Sequence, residues 1–290
     1  MSIEKNLTGD RTGSIERGLE DKVKDSPEKV KEIPYQIDDY VKLAKGTYIV
    51  DKEIKISETG TLDIEPGTKF LFKEKAGIRC EGVLKAEGTE EDVIEFSAHK
   101  DKWKNIYLEG NISSSSILKY CKISRGSGRS ISGKNYGGGI FLNNSNPTIQ
   151  HVIIENCSAA NGGGIYLTGS NPELSYNIIK ENTAQWKGGG ISLNESNPKM
   201  YNNDIIENHS NYNGGGIWLH ESVPVMIENT IKGNTSEWSG GGMYISRSNP
   251  IMNDNTVRGN TSTFDGGVHL VDSNPNLANN TIIKNKQTST

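Results

Sequence analysis

Residues 188–208 read GGGISLNESNPKMYNNDIIEN, and this pattern recurs through the second half of the chain. Successive glycine triplets begin 25 or 26 residues apart, and a degenerate copy follows them. The triplets begin at Gly137, Gly162, Gly188, Gly214 and Gly240, and the degenerate copy is Asp265-Gly266-Gly267. A period of this length is typical of a solenoid, in which each repeat is one unit that stacks on the next.

Each glycine triplet is followed by two apolar residues that flank a variable one. These triplets are Ile140-Phe141-Leu142, Ile165-Tyr166-Leu167, Ile191-Ser192-Leu193, Ile217-Trp218-Leu219, Met243-Tyr244-Ile245 and Val268-His269-Leu270. Alternation with a period of two indicates a β-strand that buries one face.

Two more apolar columns follow a proline-containing turn in every repeat. The prolines are Pro147, Pro172, Pro198, Pro224, Pro250 and Pro275. The first column contains Ile149, Leu174, Met200, Met226, Met252 and Leu277, and the second contains Ile153, Ile179, Ile205, Ile231, Val257 and Ile282. Proline belongs at a corner because it lacks a donor for a central strand. The sequence therefore predicts an all-β parallel β-helix with about three short strands in each coil of about 26 residues.

Asparagine also recurs in two columns. The first is Asn177, Asn203, Asn229, Asn255 and Asn280, and the second is Asn156, Asn182, Asn208, Asn234, Asn260 and Asn285. Stacked amides can hydrogen-bond to one another and satisfy backbone groups at a corner. We assign both columns to structure rather than to catalysis.

The chain divides into four parts by pattern. Residues 1–40 are charged and predict an N-terminal leader or capping segment, and residues 41–124 predict irregular β-helix coils. Residues 125–136 interrupt the period and predict an inserted loop that carries Arg125, Arg129 and Lys134. Residues 137–290 are the regular repeats.

Composition excludes several classes of protein. The chain of 290 residues has a net charge of −4, which provides no basic field for nucleic acid. It contains no run of roughly 18 apolar residues, so we expect no membrane span, and no signal peptide is visible at its start. Cys80, Cys121 and Cys157 are too few for a disulfide framework. No spacing typical of a metal site is present, so we expect no metal and no cofactor.

The repeat GGGIxLxxSNPxIxxNxIxxN resembles the right-handed parallel β-helix repeat proteins of the pectate-lyase-like superfamily. Residues 60–68 (GTLDIEPGT) and 82–89 (GVLKAEGT), together with Trp103, resemble the opening coils of those proteins. The resemblance covers roughly residues 45–285. It implies the fold, whereas the functions in this superfamily range from polysaccharide lyases and glycoside hydrolases to surface proteins. It also makes an extracellular or cell-surface location the expectation.

Aromatic residues recur at two positions around the glycine strand. One row contains Phe141, Tyr166, Ser192, Trp218, Tyr244 and His269, and the other contains Trp186, Tyr212, Trp238 and Phe264. With glycines between them, these rows predict a shallow trough that binds a polysaccharide or surface glycan lengthwise, because sugar rings pack on aromatic faces. An alternative is that the rings only stabilise the solenoid by packing on one another.

Candidate catalytic groups are sparse. One corner column contains Glu195, Glu221, Arg247 and Asp272, and His220 lies beside it. Carboxylates about 5 Å apart can cleave glycosidic bonds with retention, and a histidine can act as acid or base. Ordinary charge pairing at an exposed corner accounts for the same residues. The β-helix lyases use calcium held by acidic residues with an arginine base, so calcium is the expected cofactor if the protein is a lyase. No such acidic cluster is present on the glycine strand.

The sequence therefore agrees with three functions. The first is a non-catalytic surface or fibre-like protein that binds carbohydrate, since active sites usually break local regularity. The second is a polysaccharide lyase or glycoside hydrolase that acts in the same groove. The third is a structural spacer with end-to-end or oligomeric contacts through its C-terminal coil.

Overall fold

The computed structural model describes residues 32–288, which form a solenoid of short, mostly parallel strands. Residues 1–31 of the predicted leader or capping segment lie outside the described residues. Strand pairing begins at Gln36–Ile37, which pairs in parallel with Glu53–Ile56. The predicted parallel β-helix is confirmed.

Three sheets of ten strands each run along the solenoid, with one strand of each sheet in every coil. The first sheet consists of Gln36–Ile37, Glu53–Ile56, Gly77–Cys80, Ile106–Glu109, Ile140–Asn143, Ile165–Thr168, Ile191–Asn194, Ile217–His220, Met243–Ser246 and Val268–Val271. The second consists of Tyr40–Leu43, Thr61–Ile64, Val83–Glu87, Ile117–Lys119, Thr148–Gln150, Glu173–Ser175, Lys199–Tyr201, Val225–Ile227, Ile251–Asn253 and Asn276–Ala278. The third consists of Thr47–Val50, Lys69–Phe72, Ile94–Ala98, Cys121–Ser124, Ile153–Glu155, Ile178–Lys180, Asp204–Ile206, Thr230–Lys232, Thr256–Arg258 and Thr281–Ile283.

A fourth sheet of eight strands accompanies the regular coils. It consists of Arg129–Ile131, Lys134–Tyr136, Ser158–Asn161, Thr183–Lys187, His209–Ser210, Thr235–Ser239, Thr261–Phe264 and Lys286–Gln287. Its first two strands form an antiparallel hairpin within the segment predicted as an inserted loop. The later strands of the fourth sheet contain serine and threonine at several positions, so the periodicity of apolar residues does not reveal them. One 3-10 helix, Ile112–Ser115, completes the elements of the described residues.

Equivalent side chains lie above one another along the interior. Ile191 pairs in register with Ile165 on one side and with Ile217 on the other. One predicted column needs a correction of one residue, because Ile154 and not Ile153 pairs with Ile179. Ile154 is fully buried, so the alternation of the strand sends its side chain inward.

The asparagine columns form hydrogen-bonded ladders. The amide of Asn203 donates to the Oδ1 of Asn229 at 2.9 Å, and also to the backbone oxygen of Leu174 at 2.8 Å. In the second column, Cys157 and not Asn156 occupies the position below Asn182, whose Oδ1 accepts from the Cys157 backbone at 3.0 Å. The ladders satisfy buried backbone groups where strands of neighbouring sheets meet.

The cysteines are buried within the columns. Cys121 occupies the position equivalent to that of Asn177, and its thiol donates to the backbone oxygen of Ala86 at 3.2 Å. Burial raises the pKa of the Cys157 thiol to about 12. These thiols therefore act as small core side chains at neutral pH.

Aromatic rings fill the core of the first coils. The rings of Phe70 and Phe96 are parallel, with centroids 5.1 Å apart, and Phe72 stacks on Trp103 at 4.3 Å. The later coils contain isoleucine, leucine and methionine instead. The coils as far as Val257 thus bury a continuous apolar interior, which contributes about 25 cal/mol per Å² of apolar surface removed from water. The apolar column residues of the last coil, Leu277 and Ile282, are exposed.

Candidate functional site

The exposed aromatic row consists of Trp186, Tyr212, Trp238 and Phe264, which lie in single file on one side of the solenoid. Their exposed fractions are between 41% and 51%. Successive ring centroids are 6.4, 5.6 and 5.5 Å apart along the row. The predicted alignment is therefore present, and the row offers aromatic surface once per coil.

Phe264 belongs to this row although its backbone is offset by one residue from that of Trp238. In the ladder it pairs with Ser239 and not with Trp238, because the register shifts between Ser236 and Ser239. Its ring nevertheless lies 5.5 Å from that of Trp238, at an angle of 62°. The side chain thus extends the row although the backbone is one residue out of step.

The other predicted row lies on the outer face of the first sheet, and we call it the covered row. Its residues pair in strict register and are Phe141, Tyr166, Ser192, Trp218, Tyr244 and His269. Phe141 is 2% exposed and lies between the rings of Tyr107 and Tyr166. Trp218 is 5% exposed, and the ammonium of Lys187 lies 4.1 Å from the centroid of its ring. Phe141 is thus not an open surface for a sugar, and Trp218 is reached only through the cleft described below.

The expected floor of exposed glycines is wrong, because the glycine triplets are buried. An added Cβ at Gly189 would lie 2.3 Å from the backbone oxygen of Gly215 and 2.4 Å from that of His209. Gly188 has a φ of +65°, a left-handed conformation that glycine tolerates best. The glycines serve close packing of the coils where the fourth sheet joins the first.

A cleft of about 520 Å³ opens between the two rows at Ser192, the one small residue between Tyr166 and Trp218 in the covered row. Its lining combines aromatic, amide and ammonium groups from several coils. The lining residues are Lys134, Tyr136, Asn161, Tyr166, Trp186, Lys187, Ser192, Asn194, Tyr212 and Trp218. Four of the eight predicted carbohydrate-contacting residues line the cleft, namely Tyr166, Trp186, Tyr212 and Trp218, and the other four lie apart from it.

 Trp218 is almost fully buried, and its remaining surface faces the cleft.

Lys187 gives the cleft its charge. Its ammonium packs on Trp218, and within residues 32–288 no carboxylate lies within 4.0 Å of it. Burial lowers the pKa of Lys187, and the neighbouring charge of Lys134 lowers it further. Burial and the charge of Lys134 both disfavour the charged form of Lys187. An anion bound beside the ammonium would stabilise that charged form.

The polar groups of the cleft include an unsatisfied hydroxyl. The Oγ of Ser192 is buried and has no hydrogen-bond partner among the described residues. Asn161 and Asn194 add side-chain amides to the lining. A buried polar atom without a partner costs about 1–3 kcal/mol, which a ligand could recover.

The hairpin of residues 129–136 closes one end of the covered row. The guanidinium of Arg129 lies 4.6 Å from the ring centroid of Tyr107 and pairs with the Glu53 carboxylate at 2.6 Å. Arg125 instead donates to the backbone oxygens of Lys100 and Ala98. Of the three basic residues predicted in this segment, only Lys134 therefore lines the cleft.

The candidate catalytic residues lie elsewhere, at the exposed corner that follows the first sheet. Glu195, Glu221, Arg247 and Asp272 are exposed and have left-handed φ values between +46° and +49°. The Glu221 carboxylate pairs with Arg247 at 2.9 Å and lies 3.6 Å from the Nε2 of His220. None of these five residues lines the cleft. Ion pairing at a corner accounts for their arrangement.

Sequence reasoning missed Lys187, Ser192, Asn161 and Asn194 as members of a common site. A signal was present, because Ser192 is the only non-aromatic residue in its row before His269. Lys187 likewise is the only charged residue in a column that contains Tyr136, Asn161, Asn213 and Ser239.

Residues 32–288 contain neither a metal-binding cluster of side chains nor a membrane-spanning helix. No group of three or more histidine, cysteine, aspartate or glutamate side chains is placed to hold a metal ion. Among the same residues, no helix has the length and apolar character needed to cross a membrane.

Comparison with known proteins identifies a family model for the right-handed β-helix region. It matches residues 90–236 and 138–289, two overlapping stretches that cover more than half of the chain. No curated protein matches the chain, and no solved structure matches it. The match agrees with the stacked coils and says nothing of a ligand.

Proposed function

Because the chain belongs to the right-handed β-helix family and has a row of exposed rings along one side, we propose that it is a non-catalytic carbohydrate-binding protein. The single observation that carries this proposal is the exposed aromatic row, in which four neighbouring rings each keep more than two fifths of their surface open to solvent. Large aromatic side chains in contiguous exposed positions are typical of binding surfaces. A protein of this kind would work at the cell surface or outside the cell.

The repeat distance supports a polymeric ligand. Neighbouring parallel strands lie about 4.8 Å apart, and the rings of the exposed row recur every 5.5–6.4 Å. A sugar chain presents rings at a comparable spacing. Several weak aromatic contacts along one chain then add up to useful affinity.

Binding without chemical cleavage is the function that the site supports best. The charged residues that could act as acid, base or nucleophile are at the exposed corner, and Glu221 is already paired with Arg247. The cleft-lining residues include no carboxylate. Paired carboxylates in contact with the substrate are what most glycosidases require.

Affinity electrophoresis of the full chain through gels that contain neutral or acidic polysaccharides tests the proposal. We expect retardation by at least one polysaccharide, and we expect Trp186→Ala combined with Trp238→Ala to abolish it. The control is Tyr176→Ala, which removes a ring of equal exposure from another corner. Release of reducing or unsaturated ends from the same polysaccharides would instead indicate an enzyme.

The proposal is overturned if no polysaccharide retards the protein, or if the double variant with intact circular dichroism migrates as the unaltered protein does.

A further inference from the structure

We propose that the cleft at Ser192 selects sugars that carry an anionic group, a carboxylate or a sulfate ester, and that Lys187 is the residue that recognises it. This inference rests on the proposed function, because it names the class of carbohydrate that the aromatic row would hold. The aromatic row offers only rings, whereas the cleft would recognise the charge of the sugar.

Charge is the first argument. Ten residues line the cleft, and they include the two cations Lys134 and Lys187 but no aspartate or glutamate. The chain as a whole is net negative by four charges. A local pair of ammonium groups without a carboxylate is therefore a departure from the average surface, and it favours anionic ligands.

The position of Lys187 is the second argument. Its ammonium is held over the Trp218 ring at 4.1 Å rather than extended into solvent. A cation fixed in this way loses little side-chain entropy when it binds an anion. Charge-assisted hydrogen bonds between such an ammonium and a carboxylate are roughly twice as strong as neutral ones.

The neutral polar groups are the third argument. The hydroxyl of Ser192 is buried and unpartnered, and Asn161 contributes an amide to the same lining. Sugar hydroxyls can donate to and accept from such groups. Asn194 also lines the cleft, but its side-chain amide donates to the carboxylate of Glu195 at 3.4 Å, so it is a weaker candidate.

The size of the cleft agrees with a sugar ring or two. Its volume of about 520 Å³ lies in the range of small-molecule sites, roughly 300–1,000 Å³. Trp186 and Tyr212 belong to both the cleft and the exposed row. A chain that lies along the row can therefore place one charged substituent in the cleft.

The test compares two forms of one polymer, polygalacturonate and its methyl ester, which differ in charge but not in sugar. A second matched pair, dextran and dextran sulfate, distinguishes a sulfate ester from a carboxylate, because dextran itself carries no charge. Dissociation constants of the full chain are measured by isothermal titration calorimetry. We expect the charged member of at least one pair to bind roughly tenfold more tightly than its partner, as one added charge-assisted hydrogen bond implies.

The decisive variant is Lys187→Met, which keeps an unbranched side chain over Trp218 and removes the charge. It should reduce affinity for the charged polymer to that for the neutral one, so that the ratio of the two dissociation constants approaches one. Lys232→Met is the matched control, since it removes the charge of one exposed side chain on a strand of the third sheet. Lys187→Arg should retain most of the preference, which shows that charge and not the lysine side chain as such is required.

Each outcome is informative. If charged and neutral forms bind equally, or if Lys187→Met and Lys232→Met have the same effect, the selection by Lys187 is overturned while carbohydrate binding stands. If neither form of either pair binds, and no other polysaccharide does, the proposed function and this inference fall together.

Discussion

The ring of Tyr212 lies nearly parallel to that of Trp238, with centroids 5.6 Å apart and an angle of 13° between the planes. The neighbouring rings are turned, since Trp186 meets Tyr212 at 67° and Phe264 meets Trp238 at 62°. The row is thus a stacked pair between two edge-on neighbours. Each ring restrains the next, so the surface is ordered before any ligand arrives, and ordering costs less on binding.

Tyr212 is central to this arrangement, and we predict that Tyr212→Ala weakens polysaccharide binding about tenfold. Its loss removes one aromatic contact and frees both Trp186 and Trp238 to move. Aromatic pairs contribute about 0.5–1.5 kcal/mol each beyond area burial, so the melting temperature should fall only slightly. Calorimetry and a thermal melt measure the two effects.

Tyr176→Ala is the control for this variant. Tyr176 is 51% exposed, compared with 41% for Tyr212, and it stacks on His151 at 5.1 Å at a corner away from the row. The two variants should have similar stability and different affinity. Equal losses of affinity would show that the exposed row has no special part in binding.

Ser192→Tyr should fill the cleft without disturbing the fold. The neighbouring residues in register are Tyr166 and Trp218, so an aromatic side chain at this position continues an existing column. The added volume is a fraction of the 520 Å³ available. We expect any preference for anionic polymers to disappear, with the melting temperature unchanged or raised.

The matched variant is Ser192→Ala, which removes the hydroxyl and leaves the cleft open. It should keep the preference for charged polymers, because the ammonium of Lys187 is untouched. Retention of that preference by Ser192→Tyr as well would place the anion-binding group outside the cleft.

The sequence predicted the stacking of the coils because identical residues recur at a fixed period and must bury a common face. It did not locate the residue by which 25- and 26-residue coils differ. That residue enters at a bulge in the fourth sheet, between Ala184 and Lys187, whose partners in the preceding coil are Ala159 and Asn161. Ile153 and Asn156 were therefore placed one position away from the buried column. Backbone hydrogen bonding decides such a register, and periodicity alone does not.

The burial of the covered row could not be predicted from the sequence either. Alternation correctly placed Phe141 and Trp218 on the outer face of their strands, but side chains distant in sequence decide whether that face is open. Phe141 lies against Tyr136 from the hairpin, and Trp218 lies under Lys187 from the fourth sheet. The cleft therefore emerges only once the fourth sheet is known.

Acid should detach the hairpin from the first coils. Burial alone would raise the pKa of Glu53, but the charges and hydrogen bonds of Arg129 and Lys104 outweigh burial and hold the pKa below its ordinary value. A carboxyl group with a lowered pKa in the folded state stabilises the fold above its unfolded pKa of about 4.3. That contribution is lost as the pH falls through the lowered folded pKa.

Glu53→Gln tests this ion pair directly. At pH 7 it should cost about 2 kcal/mol, because it leaves Arg129 partly buried and without its partner at 2.6 Å. At a pH below both pKa values, the variant and the unaltered protein should melt at nearly the same temperature. Glu95→Gln breaks the exposed pair with Lys69 and should have an effect below about 1 kcal/mol at either pH. A constant difference across pH would exclude the linkage.

Asn229→Ala should destabilise the solenoid far more than its size suggests. The amide of Asn229 donates to the Oδ1 of Asn255 and to the backbone oxygen of Met200, both at 2.9 Å. Its Oδ1 accepts from the side-chain amide of Asn203 at 2.9 Å. Truncation leaves several buried polar groups without partners, and we expect a loss of roughly 3–5 kcal/mol in urea unfolding.

Asn276→Ala provides the control, because Asn276 is an exposed residue of the second sheet. It should change stability by less than about 0.5 kcal/mol. Hydrogen exchange should show weakened protection on both sides of position 229, since each coil contacts only its neighbours. Protection lost at random along the chain would contradict a ladder.

Gly189→Ala should prevent the coils from closing, whereas Gly259→Ala should be tolerated. At Gly189 the new Cβ would lie 2.3 Å and 2.4 Å from two backbone oxygens, which cannot move without separating the strands. At Gly259 the space is open, and the cost is the left-handed φ of +64°, about 1–2 kcal/mol. Soluble yield and circular dichroism report the first variant, and urea unfolding reports the second. Because both changes add the same methyl group, a well-folded Gly189→Ala protein of normal stability would mean that the glycine triplets are not needed for close approach of neighbouring coils.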